Sequence, residues 1–314
     1  MDLIITAMTI RHIITTVAAL FALLPSLPAQ AAETTATSVL PPESAQYPEL
    51  VVLLHTDENG KESLKTPVAR YKDAEGRIVD LVGAIHLGDT RYYRALNRSF
   101  ARYDKVLYEM VDGEDLPEIT RISRRIANGT ATEEDRQRFA AYQNSRETSI
   151  SGNLLGSFYG YMAKKMDLSL QSEVIDYGLT NLVYADMSSA EFSAAMEARG
   201  ESWFTLVTDS LRESKSSGSN NIFMTNPTEL RRTVCRQLAA TATGSRSEQR
   251  AIILSRNERC MQVLDQVLAD TEAPARNIAI FYGAMHLRDM HQRLLQRGFT
   301  LIGVQWVRAI RVDR

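Results

Sequence analysis

Two segments of this chain, 200 residues apart by their glycines, end in the same way: Gly83-Ala84-Ile85-His86 and Gly283-Ala284-Met285-His286. Each closes a short apolar run, Ile78-Val79-Asp80-Leu81-Val82 and Ile278-Ala279-Ile280-Phe281-Tyr282, and each opens a helical pattern. Runs this short, rich in β-branched and aromatic residues, are those of strands buried on both faces, the signature of a parallel sheet with helices on its two sides. A glycine after such a strand lets the backbone turn sharply or come close to a ligand, and the histidine then falls at the strand's carboxyl end, where open α/β sheets build their sites. With only five histidines in the chain, two at matched positions constrain both fold and function.

The rest of the pattern extends this expectation. Strands are predicted over Glu49 to His55, Thr66 to Lys72 and Ile78 to Gly83, separated by the hairpin-type turns Asn59-Gly60 and Glu75-Gly76. A helix from Asp89, as N-cap, to about Tyr103 leads into a strand over Lys105 to Met110 that carries Glu109 at its end. Residues 117 to 201 read as mainly helical, with one short apolar segment, Asn181 to Ala185, and Ser188-x-x-Glu191 has the form of a capping box. Ser216 to Asn221 is a Ser/Gly/Asn loop, and the C-terminal part returns to strand (277 to 282), helix (287 to 297) and strand (299 to 312). The expected fold is α/β, a mostly parallel central sheet with flanking helices and a helical insertion at about 117–275.

The first thirty-one residues have the form of a secretory signal: Arg11-His12, the apolar stretch Ile13 to Leu24, then Leu27-Pro28-Ala29-Gln30-Ala31, with an Ala-x-Ala cleavage pattern before Ala32. Export to a periplasmic or extracellular location is therefore expected, with 32–45 a Thr/Ser/Pro-rich flexible leader and 46–314 a single domain. No later segment is long and apolar enough for a membrane span. A net charge of -2 and the lack of a Lys/Arg block interleaved with aromatics give no footprint for nucleic acid. Oligomeric state is not encoded in any feature of the chain.

Cys235 and Cys260 are too few for a disulfide scaffold or a cysteine zinc site. They fall in two helical patterns, Pro227 to Ala242 and Ser247 to Ala269, joined by Thr243-Gly244-Ser245, so antiparallel folding is expected to bring the thiols near one another. A bridge and two buried free thiols both fit that arrangement.

Parallel strands deliver their ends to one edge of a sheet, so His86, Glu109 and His286 are expected to converge. Two imidazoles and a carboxylate suit a divalent ion such as Zn, Mn, Co or Fe(II), and leave positions open for water and substrate. An ion there would polarise a carbonyl and acidify water, the two requirements of amide hydrolysis. Taken singly, each element has an ordinary reading. A Gly-x-x-His recurs by chance, a histidine after a strand is commonly a hydrogen-bonded turn residue, and Arg256 midway along a helix is commonly a solvated or ion-paired surface residue. Glu109 is harder to explain away, because a carboxylate ending a buried strand needs a partner.

Gly83-x-x-His86, the strand ending in Glu109, Arg256-Asn257 within a long helix, and Gly283-Ala284-Met285-His286-Leu287 before a helix ending near Gly298 together resemble the TraB/PrgY/GumN family, relatives of the TIKI metalloproteases. The resemblance covers about residues 78 to 303. It implies a fold of the erythromycin-esterase and haem-binding ChaN type, with His86, Glu109 and His286 as metal-site residues and Glu109 as ligand or general base. It also implies a place for Arg256 near the site, orienting Glu109 or gripping a substrate carboxylate, with Asn257 beside it. Apart from the resemblance, Asp186, after Tyr184-Ala185, is a candidate to hold a histidine tautomer from behind, with an ordinary turn or N-cap aspartate as the alternative reading. The relatives often carry Gly-x-Gly-His or Gly-x-Ala-His, where this chain has the bulkier Ile85 and Met285. The activity implied is hydrolysis of peptide or protein substrates. The alternative is non-catalytic peptide or haem binding on the same scaffold, since some members are described only as inhibitors of peptide pheromone signalling.

Overall fold

A computed structural model describes residues 50–147, 159–199, 226–242 and 251–313. The leader pattern of residues 1–31, the Ser216 to Asn221 loop and the Thr243-Gly244-Ser245 turn lie outside the described residues. The chain is mixed α/β with a mostly parallel central sheet and flanking helices. Strands β1 (Leu53–Thr56), β2 (Glu62–Lys72) and β3 (Ile78–Ala84) are connected by turns at Gly60 and Gly76, whose φ of 76° and 80° favour glycine. Strand β4 (Leu87–Gly88) pairs with β6 (Ser169–Leu170) in a separate ribbon. Helix α1 (Thr90–Phe100) then leads to β5 (Lys105–Tyr108). Next come α2 (Leu116–Ala127), α3 (Glu133–Glu147), α4 (Gln171–Val174), β7 (Leu182–Tyr184) and α5 (Ser189–Ala198). The chain continues through α6 (Pro227–Ala242), α7 (Ala251–Ala269), β8 (Asn277–Gly283), a 3-10 turn (Ala284–His286), α8 (Leu287–Gln296) and β9 (Thr300–Arg311).

The order across the main sheet is β1-β2-β3-β8-β5-β7, with β9 also on β2. Strands β3, β8, β5 and β7 run parallel, while β2 pairs antiparallel with β1, β3 and β9. Strand β8, late in the sequence, is thus inserted between β3 and β5, and β7, from within the segment 117–275, forms the outer parallel strand. The register sets Ala84 opposite Gly283 and Tyr108 opposite Phe281, so the two Gly-x-x-His turns and Glu109 leave the sheet at the same edge.

Alternation along these strands divides the core between the two faces. Val82, Ala84, Val106, Tyr108, Ala279 and Phe281 pack with Tyr92, Leu96 and Phe100 of α1. Val79, Leu81, Leu107, Ile278, Ile280 and Tyr282 pack on the other side with Met261 and Leu264 of α7 and Met290 and Leu294 of α8. All of the β8 residues from Ile278 to Tyr282 are at most 1 % exposed. Full burial of each large apolar side chain contributes about 1.5–3 kcal/mol, which makes β8 the axis of the fold. The one carboxylate inside a core strand, Asp80, is satisfied by both nitrogens of an Arg70 fork (2.9 and 2.8 Å) and by the Tyr103 hydroxyl (2.6 Å).

Local signals hold in part. Ser188 and Glu191 form the reciprocal capping box. Asp89 stands at the N-cap of α1 but does not cap it; its carboxylate instead accepts from the Arg311 amide at 3.1 Å, tying α1 to β9. The cysteines depart from expectation. Both are buried and free, but Cys235 packs in the core on the α1 face and Cys260 in the core on the α8 face. Helices α6 and α7 bury their apolar sides on opposite faces of the sheet, so the thiols are not brought together as their spacing from Gly244 suggested.

Candidate metal centre

Glu109 follows β5 directly, and its amide donates to the Phe281 carbonyl at 3.1 Å, which continues the β5–β8 ladder by one residue. The side chain turns toward β8, where the Gly283 amide donates to Glu109 Oε2 at 2.6 Å. A Cβ on Gly283 would sit 3.3 Å from that oxygen, a tight contact that the carboxylate would have to relieve by shifting a few tenths of an ångström. Gly83 is constrained by packing, since a Cβ there would lie 3.1 Å from both Pro67 and Leu287.

The other oxygen, Oε1, meets Arg256 Nη2 at 2.8 Å and faces His286 Nε2 at 3.6 Å. Arg256 is buried, and its Nε and Nη2 also donate to the two oxygens of Asp186 at 2.8 and 2.6 Å. Asp186, fully buried after β7, accepts in addition from the Met187 amide. The Nε and Nη2 of the guanidinium are therefore engaged by two carboxylates of the protein. Of the two expectations for Arg256, the contact with Glu109 is the one present in the structure, and Asp186 bonds to Arg256 rather than to a histidine.

Asn257 takes the part expected of Asp186. Its Nδ2 donates to the His286 carbonyl (3.1 Å) and to Asp289 Oδ2 (2.8 Å), and both partners can only accept. That assigns Asn257 Oδ1, 2.6 Å from His286 Nδ1, as an acceptor, so Nδ1 carries the proton and Nε2 of a neutral ring presents its lone pair to Glu109. Asp289, in the first turn of α8, also accepts from Arg293 at 2.6 Å. It was not singled out from sequence. The one available signal was its place three residues after His286, on the helix that the histidine opens.

The electrostatics follow from this wiring. Burial is the largest influence on the Glu109 pKa and works to raise it, but Arg256, His286, His86 and the Gly283 amide together outweigh it, and the group is held at about 2. Arg256 is the largest of the lowering causes, and burial pushes His286 down to about 4, leaving it neutral at pH 7. Burial also disfavours the Arg256 charge, which Glu109 and Asp186 more than restore. The Tyr282 ring meets His286 edge-on, with centroids 5.1 Å apart, and its hydroxyl donates to the Ala185 carbonyl behind the site.

His86 is placed differently from His286. It leaves β3 at the same edge, but its side chain is exposed, with the ring edge-on to Tyr159 at 6.0 Å between centroids, and its carbonyl accepts from the Gln171 amide. Of the three expected ligands the structure brings Glu109 and His286 into contact and leaves His86 outside that contact. Among the described residues, no group of three or more His, Cys, Asp or Glu side chains is gathered closely enough to hold a metal ion. Two ligand atoms about 2.1 Å from a tetrahedral ion lie about 3.4 Å apart, close to the 3.6 Å between Nε2 and Oε1, so the spacing of this pair is compatible with a shared cation.

Comparison with family models, with curated proteins and with solved structures finds no match to this chain. Among the described residues no helix is long and apolar enough to cross a membrane.

Proposed function

We propose that this chain is an exported, metal-dependent peptidase of the TraB/PrgY/GumN kind, on an erythromycin-esterase/ChaN-like scaffold, with His86, Glu109 and His286 holding one divalent ion. The observation that carries the reading is the opposition of the His286 Nε2 lone pair to an ionised Glu109 oxygen at 3.6 Å, with Asn257 fixing the tautomer that creates it. A bound ion of this class supplies polarisation of the scissile carbonyl and acidification of water. Glu109 enters as a permanently charged ligand: a group held at about 2 is a poor proton acceptor near neutrality, which argues against its use as general base. His286, neutral at pH 7, offers Nε2 without first losing a proton. Arg256 and Asp186 keep the Glu109 carboxylate in one orientation, and Asn257 with Asp289 does the same for the imidazole. His86, exposed at the mouth beside Tyr159, is the ligand able to close on an ion from the solvent side.

The test is metal content by mass spectrometry, with hydrolysis of a mixed peptide library, for wild type, H86A, E109A and H286A. One equivalent of ion in wild type, most of it lost in each variant together with peptide cleavage, is the expected result. Unchanged stoichiometry in all three variants would refute the site. Tight peptide binding by a metal-loaded protein without cleavage, or a Soret band on adding haem, would instead favour a binding protein.

A further inference from the structure

Helix α1 carries arginines at 91, 94 and 98, one turn apart on its exposed side, and Arg102 continues the series just past its end. Over these eleven steps the row extends about 16 Å. The helix has no acidic residue to offset them. Like charges three and four apart repel, and Arg91 and Arg94 sit in the half of the helix where the macrodipole disfavours a cation. Local stability therefore does not account for the pattern.

Many of the other surface arginines are neutralised, Arg121 by Glu118 at 2.7 Å, Arg125 by Asp135 at 2.7 Å, Arg138 by Asp115 at 3.0 Å, Arg232 by Asp313 at 2.6 Å and Arg297 by Asp265 at 2.9 Å, and those with no carboxylate partner, such as Arg199 and Arg308, lie on other elements rather than in a row along one helix. Among the described residues the α1 arginines have no such partner. The acids flanking the helix are engaged elsewhere, Asp89 by the Arg311 amide and Asp104 by the amides of Arg276 and Asn277. Helix α4, which packs on α1, adds one exposed acid, Glu173. Four arginines with no bonded carboxylate, and one neighbouring acid, thus lie along one face of a chain whose net charge is -2.

We propose that this face of α1 docks the protein on an anionic lipid surface. A convex row cannot converge its donors on one small anion, but it can meet many headgroups in a plane at once, and neighbouring arginines lie well within a Debye length of about 8 Å. Single- or double-stranded nucleic acid is the poorer match. The aromatic residues of α1, Tyr92, Tyr93 and Phe100, are at most 2 % exposed and cannot stack on bases, and Asn97, the amide that would read a base edge, is bonded to Val174 and Asp176. This inference does not depend on the metal centre.

The experiment is vesicle cosedimentation of the purified full chain with phosphatidylcholine alone and with phosphatidylcholine containing phosphatidylglycerol. Zwitterionic vesicles report whatever the apolar 13–24 run contributes, and the difference between the two reports charge. Wild type should prefer the anionic vesicles and be released by high salt. Each arginine near the surface accounts for about a fivefold change, so R91Q/R94Q/R98Q should bind about a hundredfold more weakly, and R91K/R94K/R98K should bind nearly as wild type. The glutamine variant should melt no lower than wild type, because it removes repulsion. Equal binding of wild type to the two vesicle types overturns the proposal whatever the variants do. So does unchanged binding by the glutamine variant, or release of wild type by a DNA duplex at equal phosphate concentration.

Discussion

Glu109→Gln isolates the charge at the centre of the site with almost no change of shape. The drop of the Glu109 pKa from 4.5 to about 2 corresponds to about 3 kcal/mol in favour of the ionised form in the folded protein. Burial opposes that preference, and Arg256 with the smaller contributions of His286, His86 and the Gly283 amide overcomes it, so an uncharged amide loses most of the benefit while keeping the volume. In chelator-treated protein, E109Q should be less stable than wild type by about 3 kcal/mol at pH 7. Because the folded value lies below the unfolded one, the contribution is complete above pH 4.5 and is lost as pH falls through about 2; about 1.4 kcal/mol should remain at pH 3. His286 acts in the same direction in both proteins. Its folded value of about 4 lies below 6.5, so the unfolded chain takes up the proton first and stability declines as pH falls from 6.5 to 4. The assay is urea unfolding of both proteins at several pH values between 7 and 3, followed by two spectroscopic probes so that a single transition is verified. An E109Q variant as stable as wild type at pH 7, or a difference that does not shrink on acidification, would show that Arg256 does not hold Glu109 ionised.

Asn257→Leu should cost about 1–3 kcal/mol, since it leaves the buried His286 Nδ1–H without an acceptor and takes one donor from Asp289, which keeps Arg293, and nitrogen chemical shifts of the ring should show the loss of the pure Nδ1–H tautomer; retention of that tautomer refutes its assignment to Asn257. Asp186→Asn touches neither proposed ligand, yet it loosens Arg256 and should weaken metal binding about 10–100-fold by titration, whereas an unchanged affinity removes Asp186 from the machinery. Gly283→Ala places a methyl 3.3 Å from Glu109 Oε2 and should destabilise by about 1–3 kcal/mol in chelator-treated protein, with wild-type stability refuting the close approach. Native protein should be unreactive toward Ellman's reagent, and denatured, unreduced protein should release two thiols per chain; fewer than two would mean a bridge between Cys235 and Cys260.

Much of the fold was legible because its signals are short-range. A short apolar run with a closing glycine located β3 and β8, the pairs Asn59-Gly60 and Glu75-Gly76 located the turns, and the reciprocal Ser188 and Glu191 marked the start of α5. The placement of β8 between β3 and β5 was not legible, because strand order depends on which way each crossover packs and no local pattern encodes it. The same limit explains the cysteines: distance from a turn would relate Cys235 to Cys260 only if α6 and α7 packed on one another, and each instead follows its own apolar side to a different face of the sheet.

At the site the distinction is sharper, and Arg256 and Asn257 show why. Adjacent residues on a helix point about 100° apart, so the pair cannot serve one partner, and sequence proximity says nothing about how the two are divided. In the fold Arg256 reaches past Tyr282 to the ends of β5 and β7, where it meets Glu109 and Asp186, while Asn257 turns to the 3-10 turn after β8 and to α8, where it meets His286 and Asp289. A single turn of α7 thereby sets the charge of one proposed ligand and the tautomer of the other. Exchanging the two side chains, R256N/N257R, keeps composition and helix propensity nearly constant and should abolish both settings at once. Glu109 then loses its cation, the Nδ1 proton of His286 loses its acceptor, and a buried guanidinium faces the imidazole, so the exchange should lower stability by more than N257L alone in the same urea assay. A swapped protein as stable as wild type would mean that the positions on α7 are interchangeable, and the division of labour read from these contacts would be wrong.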